Sequence, residues 1–409
     1  MVGLAVTKVG AAKAGHLSRR PFLSEERRAA ADTASDEEAA RIIFKALCML
    51  RGTALKAAQL IALEMEWLPE AYQKELAKSF SEVAPMNRVL VRKVIRTALG
   101  PPEQVFESFE PVPFAAASLG QVHRAVGPDG RALAVKVQYP GIAAGVRSDI
   151  DLLRVVLTPT KYARIFQDCF TEIAARISEE LDYRLEAEHT RRFAEQIDFE
   201  RYIIPSVVPS LSAETVLSVT LLGGRHLEPW LASNPTQDQR DHFGKRLFDL
   251  FEECTHGSGL IHADPNPGNF LFQADGRLGI IDFGCVKAVE PEFVAAMDRL
   301  RCPDTPVDPE TLEQLHNRIG VHYRQGKDKA ALNDFLVRWI QWIREPYKTE
   351  FFDFSGADDY FRRGTELVKV LYRHIDRYDG AFAYFGRTQH GLFRLLQKLG
   401  ARVRLRPQH

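Results

Sequence analysis

Apolar residues recur at three- and four-residue steps through Ile42, Ile43, Ala46, Leu47, Leu50 and Leu55, which predicts helix over residues 36–100. Pro69 suits a helix start, and Pro85, Pro101 and Pro102 punctuate the end of this region. From residue 103 the pattern shifts to short strand-like runs. Gln121–Val126 and Ala132–Gln138 read as strands, with Gly127-Pro128-Asp129-Gly130 as the turn between them. Helix is predicted again over 165–197, where Phe170, Ile173, Ile177, Leu181 and Leu185 keep the helical period. Val207–Leu222 reads as strand and is broken by Gly223-Gly224. After Pro235 the chain is mainly helical, apart from a loop-rich section at 260–290. This order predicts an α+β architecture: a basic segment at 1–35, a helical extension at 36–102, a small mixed lobe at 103–222 and a larger helical lobe at 223–409.

Composition narrows the class. Of 409 residues, 45% are hydrophobic and 26% charged, which excludes a disordered, collagen-like or coiled-coil chain. Lys+Arg and Asp+Glu both number 54, so overall basicity offers nothing to a nucleic-acid partner. The longest apolar runs, Leu336–Ile343 and Leu367–Tyr372, are interrupted by Arg338, Gln341 and Lys369 or end against Arg373, and no transmembrane helix is expected. The five cysteines are scattered and lack CxxC spacing, as in a cytosolic protein with reduced thiols. Residues 1–24 hold Lys8, Lys13, Arg19 and Arg20 and no acid; this reads as a loose tail, a segment weakly attracted to an anionic membrane face, or a transit peptide.

The chemistry concentrates in two segments. His262-Ala263-Asp264-Pro265-Asn266-Pro267-Gly268-Asn269 sets an Asp and an Asn five apart in a proline-stiffened loop, and Asp282-Phe283-Gly284 begins 18 residues after Asp264. Phosphoryl transfer needs a divalent cation held against phosphates by hard oxygen ligands, and Asp-x-x-x-x-Asn followed by Asp-Phe-Gly is the kinase arrangement for that task. Upstream, Lys136 points away from Val135 and Val137 on a predicted strand, the setting of a kinase strand lysine, with Glu186 on the following helix as its candidate partner. Taken alone, Lys136 is equally an edge-strand charge. Before it, Ala115, Ala116, Ala117 and Ser118 lead to Gly120 and Gln121 in a small-residue loop, stiffer than a glycine loop because alanine carries a Cβ.

Together these segments resemble the UbiB (AarF/ADCK) family of atypical, protein-kinase-like ATPases. Leu55-Lys56-Ala57-Ala58-Gln59 resembles the family's KxGQ motif, Ala115–Gln121 its alanine-rich nucleotide loop, and Glu180-Leu181-Asp182-Tyr183 its ExD helix; the HADPxPGN and DFG segments follow in order, and Phe393–Val403 resembles the closing helix. The resemblance covers residues 40–405. It implies a two-lobed protein-kinase-like fold with an N-terminal helical extension over the active site, binding ATP or ADP with Mg²⁺. By the same resemblance Lys136 holds the α/β phosphates with Glu186, Asp264 is the catalytic-loop acid, and Asn269 and Asp282 are metal ligands. Lys56 meets Glu180 or Asp182, and Gln59 faces the nucleotide. Ala58 replaces the KxGQ glycine, and Asn266 stands where the family usually has histidine.

The resemblance implies an ATPase supporting isoprenoid lipid biosynthesis of the ubiquinone (coenzyme Q) type, with an isoprenoid lipid or quinone precursor as partner and peripheral contact at the inner face of a membrane. A protein or small-molecule kinase is the alternative if the Lys56 plug can be displaced. A nucleotide-gated lipid-binding protein without catalysis is the other.

Overall fold

In the computed structural model, residues 86–117, 119–142, 181–324 and 328–405 are described. Backbone contacts divide the chain into two units: one runs to Leu185 and regains Val207–Leu221, and the other comprises Glu186–Ser206 and Leu222–His409.

The first unit is an antiparallel sheet with a helix on one face. Helix α1 (Arg88–Ala98) is capped by the Asn87 side chain, which accepts the Val89 N–H. The short helix α2 (Pro102–Val105) leads to β1 (Ser108–Phe109), β2 (Ala115–Ala117), β3 (Gly120–Val126) and β4 (Ala132–Gln138). The chain then passes through α3 (Tyr183–Gln196) and β5 (Tyr202–Ile203) before β6 (Val216–Thr220). The strand order is β1-β3-β4-β6, with β2 also on β3. The predicted β3–β4 hairpin forms, and its turn needs Gly130 at φ 78°, a conformation that costs other residues a Cβ clash. Val91 and Ile95 of α1 pack with Ala125, Leu133, Val135, Val137 and Val216. The helix expected to end the N-terminal extension is thus part of this unit's core. The rest of the extension lies outside the described residues.

The second unit is mainly helical. It contains α4 (Leu227–Leu231), α5 (Gln237–Glu253), α6 (Pro291–Arg301), α7 (Pro309–Arg318), α8 (Lys329–Arg344), α9 (Asp358–His374) and α10 (Gly380–Leu399). A capping box between Thr236 and Gln239 starts α5, and a π-helical turn, Cys254–Ser258, ends it. The section read as loop-rich holds four three-residue strands: β7 (Leu260–His262), β8 (Phe270–Phe272), β9 (Leu278–Ile280) and β10 (Val286–Ala288). β7 pairs with β10, and β8 and β5 flank β9. Trp339, Phe354, Phe385 and Leu396 are core residues. Among the described residues no helix is long and apolar enough to cross a membrane.

Candidate functional site

Lys136 sits near the middle of β4. Alternation turns Val135 and Val137 into the core and Lys136 to the other face. Register sets Lys136 opposite Val122 on β3 and Leu217 on β6, and Val122 opposite Ala115 on β2. Directly paired residues share a face, so Ala115, Val122, Lys136 and Leu217 form one row across four strands. The Lys136 ammonium lies 5.5 Å from the Tyr183 ring centroid, within cation–π range. Tyr183 was missed by the sequence reading, although it ends the ExD-like segment. Ala115, Ala116 and Ala117 make up β2 and hairpin onto β3; Ser118 lies outside the described residues.

Gln121 does not share the Lys136 face. It pairs with Val137, is only 2% exposed, and its Oε1 accepts the Met86 N–H at 2.9 Å. Its Nε2 lies 3.0 Å from His123 Nε2, and His123 Nδ1 lies 2.9 Å from the Glu110 carbonyl. A carbonyl only accepts, so Nδ1 carries the proton and Nε2 accepts from Gln121. Burial holds the His123 pKa below its ordinary value and keeps the ring neutral. The expected nucleotide contact of Gln121 is therefore corrected: its amide is tied into the packing face of the sheet.

Asp182 accepts the Arg184 backbone N–H at 3.0 Å and its guanidinium at 2.9 Å, and this pairing holds its carboxyl below the usual carboxylate range. Arg184 also reaches Glu214 at 3.2 Å. Lys56, Gln59 and Glu180, and the expected plug they form, lie outside the described residues.

The second unit carries the acidic loops. Asn269 donates from Nδ2 to both the carbonyl and the Oδ2 of Asp264, each at 3.0 Å. Asn266 accepts the Gly268 N–H at 2.9 Å and caps the 3-10 turn Pro267–Asn269. The asparagine that departs from the family motif thus shapes the loop locally. Ile281 N–H donates to the Asn269 carbonyl at 3.0 Å, joining this loop to the Asp282 segment. His262 Nε2 donates to the Asp282 carbonyl at 2.7 Å, and Asp282 Oδ1 accepts the Gly284 N–H at 2.9 Å. The backbone therefore ties Asp264, Asn269 and Asp282 into one oxygen-rich assembly.

Helix α3 backs that assembly. Phe193 lies 5.1 Å from the fully buried Phe283 ring, and His189 Nδ1 donates to the Phe283 carbonyl at 3.2 Å. Glu186, one turn before His189, is buried to 6% exposure. Glu186 belongs to this unit and Lys136 to the other. His189 and Phe193 escape the sequence reading, which names His262 only as the first residue of its motif; the Glu186-His189-Phe193 spacing of three and four was the available signal.

Among the described residues no three His, Cys, Asp or Glu side chains gather as a self-contained metal site. A carboxylate with an amide oxygen nonetheless suits Mg²⁺, which keeps water and takes phosphate oxygens as its other ligands.

The ABC1 atypical kinase-like domain family matches residues 78–302, more than half of the chain. The mitochondrial atypical kinase COQ8B of Rattus norvegicus is 30% identical over 369 residues, 88% of this chain and 66% of that protein. The mitochondrial atypical kinase coq-8 of Caenorhabditis elegans is 30% identical over 372 residues, 88% of this chain and 47% of that one. The chain thus spans between about half and two thirds of these relatives. The solved structure of Rv3197 from Mycobacterium tuberculosis, in complex with erythromycin, is similar with a TM-score of 0.61 and 29% identity, covering 90% of this chain and 94% of that one. The strand lysine, the Asp264–Asn269 loop and the Asp282-Phe283-Gly284 segment all fall inside the matched residues, and the chain belongs to the ABC1 atypical kinase-like (UbiB) family, with its mixed α+β kinase-like fold.

Proposed function

We propose that this chain binds Mg-ATP and hydrolyses it slowly in support of isoprenoid lipid biosynthesis of the ubiquinone type. The observation that carries the reading is the double hydrogen bond from Asn269 to Asp264, joined through Ile281 to the Asp282 segment. A turn or a cap needs no such collection of oxygen groups; a phosphate-bound cation does.

In this reading Lys136 holds the α/β phosphates. Asn269 and Asp282 hold Mg²⁺, which when bound neutralises charge on the phosphate oxygens. Asp264 orients the attacking water and accepts its proton, while Asn269 keeps the carboxylate directed through its two hydrogen bonds. The apolar row of Val122 and Leu217 beside Lys136 provides a dry wall for the nucleotide. Phosphoryl transfer is positioning and electrostatics above all, so this set suffices without a covalent nucleophile. The lipid partner is an isoprenoid or quinone precursor met at a membrane face, and ADP is the product of hydrolysis.

The test is ATP turnover by purified protein with Mg²⁺, with and without anionic liposomes, against Asp264→Asn. Turnover that liposomes raise and Asp264→Asn removes supports the reading. Mg-nucleotide binding without turnover would instead make the chain a nucleotide-gated lipid binder, and labelled peptide would make it a protein kinase.

A further inference from the structure

We infer that the terminal helix α10 is a brace for the Asp264 loop, and that Gly391 is the positioning residue through which it acts. The role given to Asp264 rests on the reading above; the brace is read from contacts within the second unit alone.

A Cβ built on Gly391 would lie 2.5 Å from Pro265 Cγ, and its next nearest neighbours are Cδ and Cβ of the same ring. The helix backbone therefore rests directly on the residue that follows Asp264. The ring cannot swing aside as a long side chain would, because it is closed onto its own backbone. Glycine is a poor helix residue, so its presence inside α10 needs a reason, and here the reason is close approach. Gly386, five residues earlier on α10, has nothing within 4 Å of such a Cβ among the described residues.

Two turns before Gly391, on the same side of α10, the Tyr384 ring receives the Lys287 ammonium at 4.8 Å. Lys287 lies on β10, just after Asp282-Phe283-Gly284, and pairs in register with Ile261 of β7. One helix face thus rests on both segments that bear the acidic groups. The helix itself is anchored. Phe385 packs against Phe251 at 5.2 Å and Phe293 at 5.3 Å, and Leu392, Leu395, Leu396 and Leu399 are buried. A clash at residue 391 is therefore relieved by movement of the loop and not of α10.

Ordinary carbon contacts fall near 3.5 Å, so Gly391→Ala requires a displacement of about 1 Å. A misplacement of that size at a catalytic group costs up to about 100-fold in rate. The expected kcat loss is roughly 10- to 100-fold, with KM for the nucleotide changed by less than about 3-fold, because the phosphate contacts are not on this loop's proline.

The experiment compares wild type, Gly391→Ala, Gly386→Ala, Pro265→Ala and the Pro265→Ala/Gly391→Ala double variant by hydrogen exchange of peptides spanning residues 261–270 and by ATP turnover. The brace predicts faster exchange and lower kcat for Gly391→Ala, neither for Gly386→Ala, and no added effect of Gly391→Ala once Pro265 has lost its ring. A Gly391→Ala protein that matches Gly386→Ala in both measurements overturns it. So does an effect of equal size in the Pro265→Ala background. Should Gly391→Ala fail to fold, recovery of folding in the double variant supports the brace and continued failure refutes it. If wild type shows no turnover while the exchange pattern holds, the ATPase reading falls and the brace stands.

Discussion

Asn269 directs one side-chain nitrogen at two oxygens of Asp264, the backbone carbonyl and Oδ2, both at 3.0 Å. The donor end of the amide is thereby committed, which leaves its carbonyl oxygen for the proposed Mg²⁺. Asn269→Asp replaces the donor with a second carboxylate beside the first. Like charges at this range raise the pKa of one member of the pair. Turnover is expected to fall at least ~10-fold at neutral pH, as for loss of a general base, and the acidic limb of the pH–rate profile should move to higher pH. An unmoved limb would remove Asp264 from the base role.

Asp282 differs in kind, because its Oδ1 already shapes its own turn by accepting the Gly284 N–H. Asp282→Asn keeps a carbonyl oxygen for that bond and loses the charge. Nucleotide affinity measured by calorimetry should therefore lose its Mg²⁺ dependence while the thermal unfolding midpoint stays within a few degrees, since a conserved turn costs less than ~1 kcal/mol. Mg-ATP affinity equal to wild type would count against the metal assignment.

Why these residues were legible, and others not, follows from sequence distance. The β3–β4 hairpin is announced by strict alternation and by a local turn ending in Gly130. Asp264, Asn269 and Asp282 fall within nineteen positions and are joined by short backbone bonds. Helix α3 misled. The apolar period runs through Leu181 and Leu185, yet Leu185 is exposed, while Tyr183, Glu186, Ala187, Thr190 and Phe193 are buried. Two polar members of the true face break the apolar period, because their burial is set by what they meet and not by hydropathy. Three-residue strands such as β7 and β9 are too short to display alternation at all. Gln121 begins a strand that the sequence announces, but which face of the sheet it takes is revealed only by register.

The buried face of α3 makes Phe193 a sensitive position. It touches Phe283 and also borders a surface pocket of about 290 Å³ with Ile197, Leu250 and Cys254. Phe193→Ala should cost roughly 3 kcal/mol, the low end for a buried phenylalanine, because water can enter from the pocket side. Chemical denaturation measures the loss. Nucleotide affinity should fall as well, since Phe283 adjoins Asp282. An unchanged denaturation midpoint would show that the Phe193–Phe283 contact contributes little.

Two histidines give opposite pH dependences. His256 lies 3.0 Å from Asp298 of α6 and 3.7 Å from Glu252 of α5, with Arg301 of α6 bonded to both acids. The hydrogen bond to Asp298 raises the His256 pKa above 6.5, so its stabilisation is full below 6.5 and is lost as pH rises through the folded-state pKa. His316 is the reverse. Burial pushes it down to about 4, its Nδ1 donates to the Leu312 carbonyl, and its Nε2 has no partner among the described residues. The unfolded chain takes up a proton that the folded chain refuses, so stability is lost as pH falls from 6.5 towards 4, by about 3 kcal/mol in all. Urea midpoints across pH 4–9 should fall on both sides. His256→Gln flattens the alkaline side alone, and His316→Leu the acid side alone; a variant that flattens the wrong side refutes its assignment.

The two faces of β4 make a paired prediction. Gln121 and Lys136 lie one register step apart, Gln121 opposite Val137 and Lys136 opposite Val122, and so on opposite sides of the sheet. Gln121→Ala strips a partner from the Met86 N–H and from the His123 ring, both buried. An unsatisfied buried group costs about 1–3 kcal/mol, so this variant should unfold earlier in urea with unchanged affinity for Mg-ATP in the folded protein. Lys136→Met keeps most of the stem packed against Tyr183 and removes the charge. It should unfold at nearly the wild-type midpoint and bind Mg-ATP at least ~10-fold more weakly, the loss of one charge-assisted phosphate contact. If instead Gln121→Ala weakens nucleotide binding and Lys136→Met does not, the nucleotide lies on the helix side of the sheet, and the site must be rebuilt around α1.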